Sequence, residues 1–223
     1  MGGVRRTRIK VCCISSVEEA WLAIDHGADA LGLVSSMPSG PGVIEQDLIA
    51  EIAAAAPPGV ATFLLTSRTD ADAIIDQQRL CGVNAIQLCD AVETETYGRL
   101  RRALPGISLI QVIHVSGPES VEAARAITGF VDAILLDSGK PDLPVKELGG
   151  TGRTHDWRRS RAIVEQSSAP VYLAGGLNAE NVGRAIRETS PFGVDLCTGV
   201  RSGGRLDEAK LRAYVGAVTR AAA

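Results

Sequence analysis

Two glycine-bearing segments near the C-terminal end have the composition of an anion cradle. Leu173-Ala174-Gly175-Gly176-Leu177-Asn178 and Cys197-Thr198-Gly199-Val200 each follow a short apolar run. Glycine lets backbone N–H groups come close to phosphate oxygens, and a helix N-terminus adds a favourable potential. The same glycines would serve a tight turn equally well. A third segment, Gly149-Gly150-Thr151-Gly152, closes a long loop over residues 138–154 and precedes His155-Asp156-Trp157. Gly-rich loops of this length commonly fold over a ligand. The expected phosphate contacts are therefore Gly150, Gly152, Gly175, Gly176, Thr198 and Gly199, with the loop as a cover and Asp156 as a helix N-cap.

The five cysteines are an odd count without CxxC or Cys/His ligand spacing. Neither a disulfide framework nor a metal site is expected, and Cys81, Cys89 and Cys197 read as small buried thiols. The formal net charge of -3, with 45% hydrophobic and 22% charged residues, belongs to a globular protein with no basic excess for nucleic acid. The apolar runs 59–66 and 108–115 fall well short of the roughly 20 residues of a membrane span. Residues 1–10 carry Arg5, Arg6, Arg8 and Lys10 without an apolar core or cleavage site, so a short tail over 1–8 and a cytoplasmic location are expected.

These groups need a scaffold, and periodicity names one. Short Val/Ile/Leu-rich runs at 9–14, 30–34, 60–65, 84–88, 107–114, 131–136, 170–173 and 193–196 read as strands. Between and after them, helices are predicted at 17–27, 45–56, 70–81, 93–104, 118–128, 156–166, 179–188 and 206–217. Strands buried on both faces and joined by helices pair in parallel with right-handed crossovers. Eight such units in 223 residues predict a single α/β domain, a closed (β/α)8 barrel of the TIM type. The glycine turns and the long loop all follow strands, which places them on the face where barrel active sites form.

Several motifs together resemble the phosphoribosylanthranilate isomerase family. They are Lys10-Val11-Cys12-Cys13-Ile14, Gly27-Ala28-Asp29-Ala30-Leu31-Gly32 and Leu135-Leu136-Asp137-Ser138, then Gly149-Gly150-Thr151-Gly152 with Asp156-Trp157. Leu173-Ala174-Gly175-Gly176-Leu177 with Asn181-Val182, and Val194-Asp195 with Thr198-Gly199-Val200, complete the set in order along nearly the whole chain. The resemblance implies an Amadori rearrangement of a phosphoribosylated aromatic amine in tryptophan biosynthesis. It implies no cofactor, a small phosphorylated substrate as partner, and a monomer or homodimer. By the same resemblance Cys12 is the general base and Asp137 the general acid. A thiol with an ordinary pKa of about 8.5 needs a cation or helix terminus to become thiolate, and an acid carboxyl needs burial or a nearby anion. Lys10 and Gln87 join the expected substrate contacts.

The chain departs from that family in four places. Cys13 stands where a glycine usually follows the cysteine. Ser36-Met37-Pro38-Ser39-Gly40-Pro41-Gly42 lacks the arginine of Ser-Pro-Arg that grips a carboxylate. Cys89-Asp90 replaces His-Gly, which brings an acid near an anionic substrate, and Arg201 replaces a glutamate. Arg68, Arg153 and Arg201 are the groups expected to compensate at the substrate, and Cys89 joins Lys10 and Gln87 among the expected substrate contacts; the alternatives are a different sugar phosphate as substrate, or a catalytically weak phosphometabolite-binding protein. His114 and His155 suit either a structural or a catalytic role.

Overall fold

In the computed structural model, which describes residues 6–221, the alternation begins with β1 (Arg8–Val11), α1 (Val17–Asp25), β2 (Ala30–Val34), α2 (Gln46–Ala55), β3 (Ala61–Thr66) and α3 (Ala71–Cys81). It continues through β4 (Ala85–Leu88), α4 (Thr94–Ala103), β5 (Ser108–His114), α5 (Glu119–Ile127), β6 (Ala133–Asp137) and α6 (Trp157–Gln166). It closes with β7 (Val171–Leu173), α7 (Val182–Thr189), β8 (Gly193–Leu196), a 3-10 turn Thr198–Val200, β9 (Arg201–Ser202), β10 (Arg205–Leu206) and α8 (Glu208–Ala221). Strands β1 to β8 pair in parallel around a closed barrel, with β1 joined to β8 from Arg8↔Gly193 to Val11↔Leu196. The predicted (β/α)8 architecture is the observed one.

Side-chain alternation divides the core in two. Leu31, Leu33, Leu64, Ile86, Ile134 and Val194 point outward to the helices, whereas Ala30, Phe63, Ala85, Val112, Leu135 and Tyr172 fill the barrel. The interior is also polar: Lys10, Gln87, Asp137 and Asp195 are all buried. Gly32 belongs to this layer by necessity, because a Cβ there would sit 2.8 Å from Cys12 Sγ and 3.0 Å from Lys10 Nζ. No helix among the described residues is long and apolar enough to cross a membrane.

Local chemistry accounts for the differences from the predicted boundaries. The first strand stops at Val11 because Cys13 turns into the left-handed region at φ 62. Helix α7 starts at Val182 because Asn178 and Asn181 first close a turn, with Asn178 N–H donating to Asn181 Oδ1 at 2.9 Å and Asn181 N–H to Asn178 Oδ1 at 3.1 Å. The last helix starts at Glu208, later than predicted, because Leu206 ends an antiparallel hairpin turned by Gly203 and Gly204. Residues 1–5 of the expected tail lie outside the described residues; Arg6 pairs with Asp29 and Arg8 already belongs to the barrel.

Candidate active site

A cavity opens at the C-terminal ends of the strands. Cys12, just beyond β1, and Asp137, the last residue of β6, both line it, together with Gln87, Cys89 and Asp195. Gly150, Gly152, Gly175, Gly176 and Thr198 line it as well, so two of the expected turns and the long loop converge on one space. Gly199 is not in the lining; it backs onto the Leu177 carbonyl so closely that no Cβ would fit. Asn181 Nδ2 donates to Gly176 O at 2.9 Å and so braces the turn after β7. Among the described residues, no hydrogen bond uses the backbone N–H of Gly150, Gly152, Gly175, Gly176, Thr198 or Gly199.

The loop between β6 and α6 lies over this cavity. Lys140 and Glu147 bridge its two limbs through backbone bonds of 2.8 and 3.1 Å, and Leu148 enters the barrel-interior cluster. Ser39, from the loop after β2, donates to Lys146 O at 2.7 Å, and Ser138 Oγ meets Thr151 Oγ1 at 2.8 Å. Lys146 forms an ion pair with Asp90, so the negative charge expected near an anionic substrate is neutralised by the cover itself.

Burial dominates the electrostatics. Asp137 is pushed up to about 6, mainly by burial and further by Asp195, against hydrogen bonds from Ser138 and the attraction of Lys10. Ser138 N–H donates to Asp137 Oδ1 at 2.7 Å. Burial pushes the Cys12 thiol up to about 11, although Lys10 pulls the other way. Lys10 does not line the cavity; it lies fully buried beneath, 3.0 Å from Asp195 Oδ1 and over the Phe63 ring. The expected substrate contact is thus a buried partner of Asp195. Its own pKa is raised, because Asp195 and the neighbouring thiols together outweigh a large desolvation cost.

The other expected contacts divide. Gln87 and Cys89 line the cavity, with Gln87 Nε2 3.7 Å from Cys89 Sγ. Arg68 is exposed, Arg153 pairs with Glu147, and neither lines the cavity. The Arg201 guanidinium binds Glu19 at 3.1 Å, Gly204 O at 2.9 Å, Cys12 O at 3.4 Å and Cys13 O, which commits it to the back of the site. Among the described residues no arginine or lysine lines the cavity. His114 meets Cys89 O at 3.1 Å and His155 meets Ser160 Oγ at 2.7 Å; burial lowers both, His155 to about 4, so both are neutral at pH 7. Asp156 does cap α6, accepting from Arg158 N–H at 3.1 Å.

The cysteine expectation needs correction. Cys13 and Cys197, 184 residues apart in sequence, form a disulfide with their Cα atoms 5.8 Å apart, and Cys197 is only half-buried. Spacing could not reveal a bond whose partners meet only when the barrel closes β1 onto β8. Cys12, Cys81 and Cys89 are free and buried, as expected for Cys81 and Cys89.

The family model described as N-(5'-phosphoribosyl)anthranilate (PRA) isomerase matches residues 9–217. The chain belongs to the phosphoribosylanthranilate isomerase family. The curated N-(5'-phosphoribosyl)anthranilate isomerase 2 of Methanosarcina mazei is 40% identical over 210 residues, covering 93% of this chain and 92% of that protein. The crystal structure of the Thermotoga maritima phosphoribosyl anthranilate isomerase is 29% identical, with a TM-score of 0.82 over 96% of this chain and 99% of that one. Another solved phosphoribosyl anthranilate isomerase, in complex with reduced 1-(O-carboxyphenylamino)-1-deoxyribulose 5-phosphate, is 27% identical with a TM-score of 0.79, covering 96% of this chain and 99% of that one. The family's enzymes are aldose-ketose isomerases of tryptophan biosynthesis, and the likeness supports that activity over a different sugar phosphate or a weakly catalytic binding protein.

Sequence reading missed three features of this isomerase site: the Lys10–Asp195 pair, the Lys146–Asp90 pair and the disulfide. The first had a signal, since Lys10 and Asp195 sit at interior register positions of adjacent strands β1 and β8.

Proposed function

We propose that this protein opens and isomerises N-(5-phosphoribosyl)anthranilate with Asp137 as general acid and Cys12 as general base. The observation that carries the reading is the arrangement of one cavity. Asp137 and Cys12 line it from separate strand ends, and the glycine turns after β7 and β8 border the same space. The phosphate is held by backbone N–H groups around Gly175, Gly176 and Thr198, with Gly150 and Gly152 closing from the cover. Asp137 donates its proton to the furanose ring oxygen as the C1–O bond breaks and the nitrogen lone pair forms the Schiff base. Cys12 thiolate then takes the C2 proton, and the resulting enolamine tautomerises to the aminoketose.

The two pKa values point to a reversed protonation state. With Asp137 at about 6 and Cys12 at about 11, most enzyme at pH 7 carries a carboxylate and a thiol. The working form, carboxyl with thiolate, is its tautomer at the same net charge and is the minor species in the free enzyme. Lys10 attracts both anions, the Cys12 thiolate and the Asp137 carboxylate, and so lowers the cost of the thiolate that the reaction needs.

The test is turnover of phosphoribosylanthranilate, followed by loss of substrate fluorescence, with the native protein and with Cys12→Ser and Asp137→Asn. Either variant retaining near-native kcat would remove that residue from its role.

A further inference from the structure

We infer that the Cys13–Cys197 disulfide is a positioning cross-link for the isomerase reaction, and that a dithiol reductant, by opening it, weakens the grip on the substrate phosphate. The inference rests on the isomerase reading above. Cys13 follows Cys12 directly, and Cys197 directly precedes the Thr198–Val200 turn. The bond therefore ties the strand end that carries the proposed base to the turn proposed to hold the phosphate. Both sulfur-bearing residues line the cavity, so a small reductant that enters it meets the bond.

The backbone supports the same reading. Cys13 is one of two non-glycine residues with positive φ among the described residues, and glycine would adopt its φ of 62 freely. A side chain kept where it costs conformational energy points to a use for that side chain, and here the side chain is bonded. Gly42, from the loop after β2, packs directly on the Cys13 side chain, so the cross-link also touches the loop that Ser39 ties to the cover.

Opening the bond does not dismantle the mouth. Arg201 still joins the carbonyls of Cys12 and Cys13 to Glu19, and Cys12 N–H still donates to Leu196 O at 2.8 Å. What is lost is the covalent stop on the turn between them. The exchange is balanced: one thiolate of the dithiol attacks a disulfide sulfur and releases the other as thiolate. The second dithiol sulfur then resolves the mixed disulfide, leaving Cys13 and Cys197 reduced and the reagent oxidised to its own disulfide.

The experiment uses the full chain purified without reductant. Alkylation after denaturation should label three cysteines before reduction and all five afterwards. Dithiothreitol should raise the Kd for inorganic phosphate and the KM for phosphoribosylanthranilate by roughly tenfold, as expected for lost preorganisation, with kcat changing much less. Reoxidation should reverse both. The double variant Cys13→Gly/Cys197→Ser should match the reduced protein and ignore dithiothreitol. Five labelled cysteines before reduction would overturn the inference, as would constants that stay within twofold on reduction. Loss of the far-UV circular dichroism signal on reduction would also overturn it, by making the bond a general support of the fold. The phosphate Kd is independent of turnover, so failure of the isomerase reading alone would leave that arm intact and be seen separately.

Discussion

Lys10 Nζ lies 3.0 Å from Asp195 Oδ1 beneath the active-site cavity, and both side chains are nearly shut off from solvent. Neither atom has another hydrogen-bond partner among the described residues, so each charge depends on the other. Lys10→Met should cost about 3 to 5 kcal/mol of stability, because it leaves Asp195 charged and alone in the barrel. The double variant Lys10→Met/Asp195→Leu should recover much of that loss in chemical denaturation. It should not recover activity, since the cation that favours the Cys12 thiolate is gone. A double variant with native turnover would show that the pair serves folding only.

Asp137→Asn should melt above the native protein at pH 7 to 8. Burial raises the native pKa of Asp137 to about 6 from the ordinary 3.8. A raised carboxyl contributes stability that is full below the unfolded pKa and is lost as pH rises through the folded one. At neutral pH the ionised group therefore opposes folding by about 3 kcal/mol, and the neutral amide removes that cost. The difference between variant and native protein should vanish as pH falls from 6 towards 4. Equal melting temperatures at pH 8 would contradict the burial argument.

The same two groups set the pH profile of kcat/KM. If the working form is Asp137 carboxyl with Cys12 thiolate, activity should fall below about pH 6 and hold a plateau above it, with the upper limb near 11. In Asp137→Asn the residual rate should instead climb with pH, because only thiolate formation remains to be satisfied. Both Cys12→Ser and Asp137→Asn should lower kcat by on the order of 10² to 10⁴ while moving KM little. A native profile with no acid limb near pH 6 would reassign the acid.

Gly176→Ala should raise KM more than it lowers kcat. Gly176 has φ 60, and a Cβ there would lie 2.7 Å from the Arg153 carbonyl carbon and 2.8 Å from Gly152 O. The substitution therefore pushes the turn and the cover apart at the proposed phosphate. A crystal soaked in sulfate should hold the anion between the turns after β7 and β8. Finding it only at a surface arginine cluster would refute the assignment.

Turnover of phosphoribosylanthranilate should be less efficient here than in a relative that keeps the arginine after β2. Pro41, in the segment where that arginine is expected, packs near Gly150, and no arginine or lysine among the described residues lines the cavity. A missing charge-assisted bond corresponds to about 1.5 to 3 kcal/mol, or roughly ten- to hundredfold in kcat/KM. Arg68→Ala and Arg153→Ala should leave KM near native, whereas Arg201→Ala should impair stability and kcat together by freeing the carbonyls of Cys12 and Cys13. Full complementation of a tryptophan auxotroph at low expression would show that another group binds the carboxylate.

The sequence by itself determined the barrel, since β-period and helix-period patterns are local and repeat eight times along the chain. It also put the glycine turns at the mouth, because each follows a strand, while Cys12 and Asp137 were singled out as base and acid by the resemblance to the isomerase family. Closure of the barrel decided the rest. Lys10 became a buried partner of Asp195, Arg201 a clamp on the carbonyls just beyond β1, Lys146 the counter-charge of Asp90, and Cys13 the bonded neighbour of Cys197. Each of these pairs joins residues between 56 and 189 positions apart. Composition and spacing carry no information about which distant side chains will share a point in space. That depends on the strand register and on the path of the loops over the mouth, and these settle only when all the strands have closed around one core.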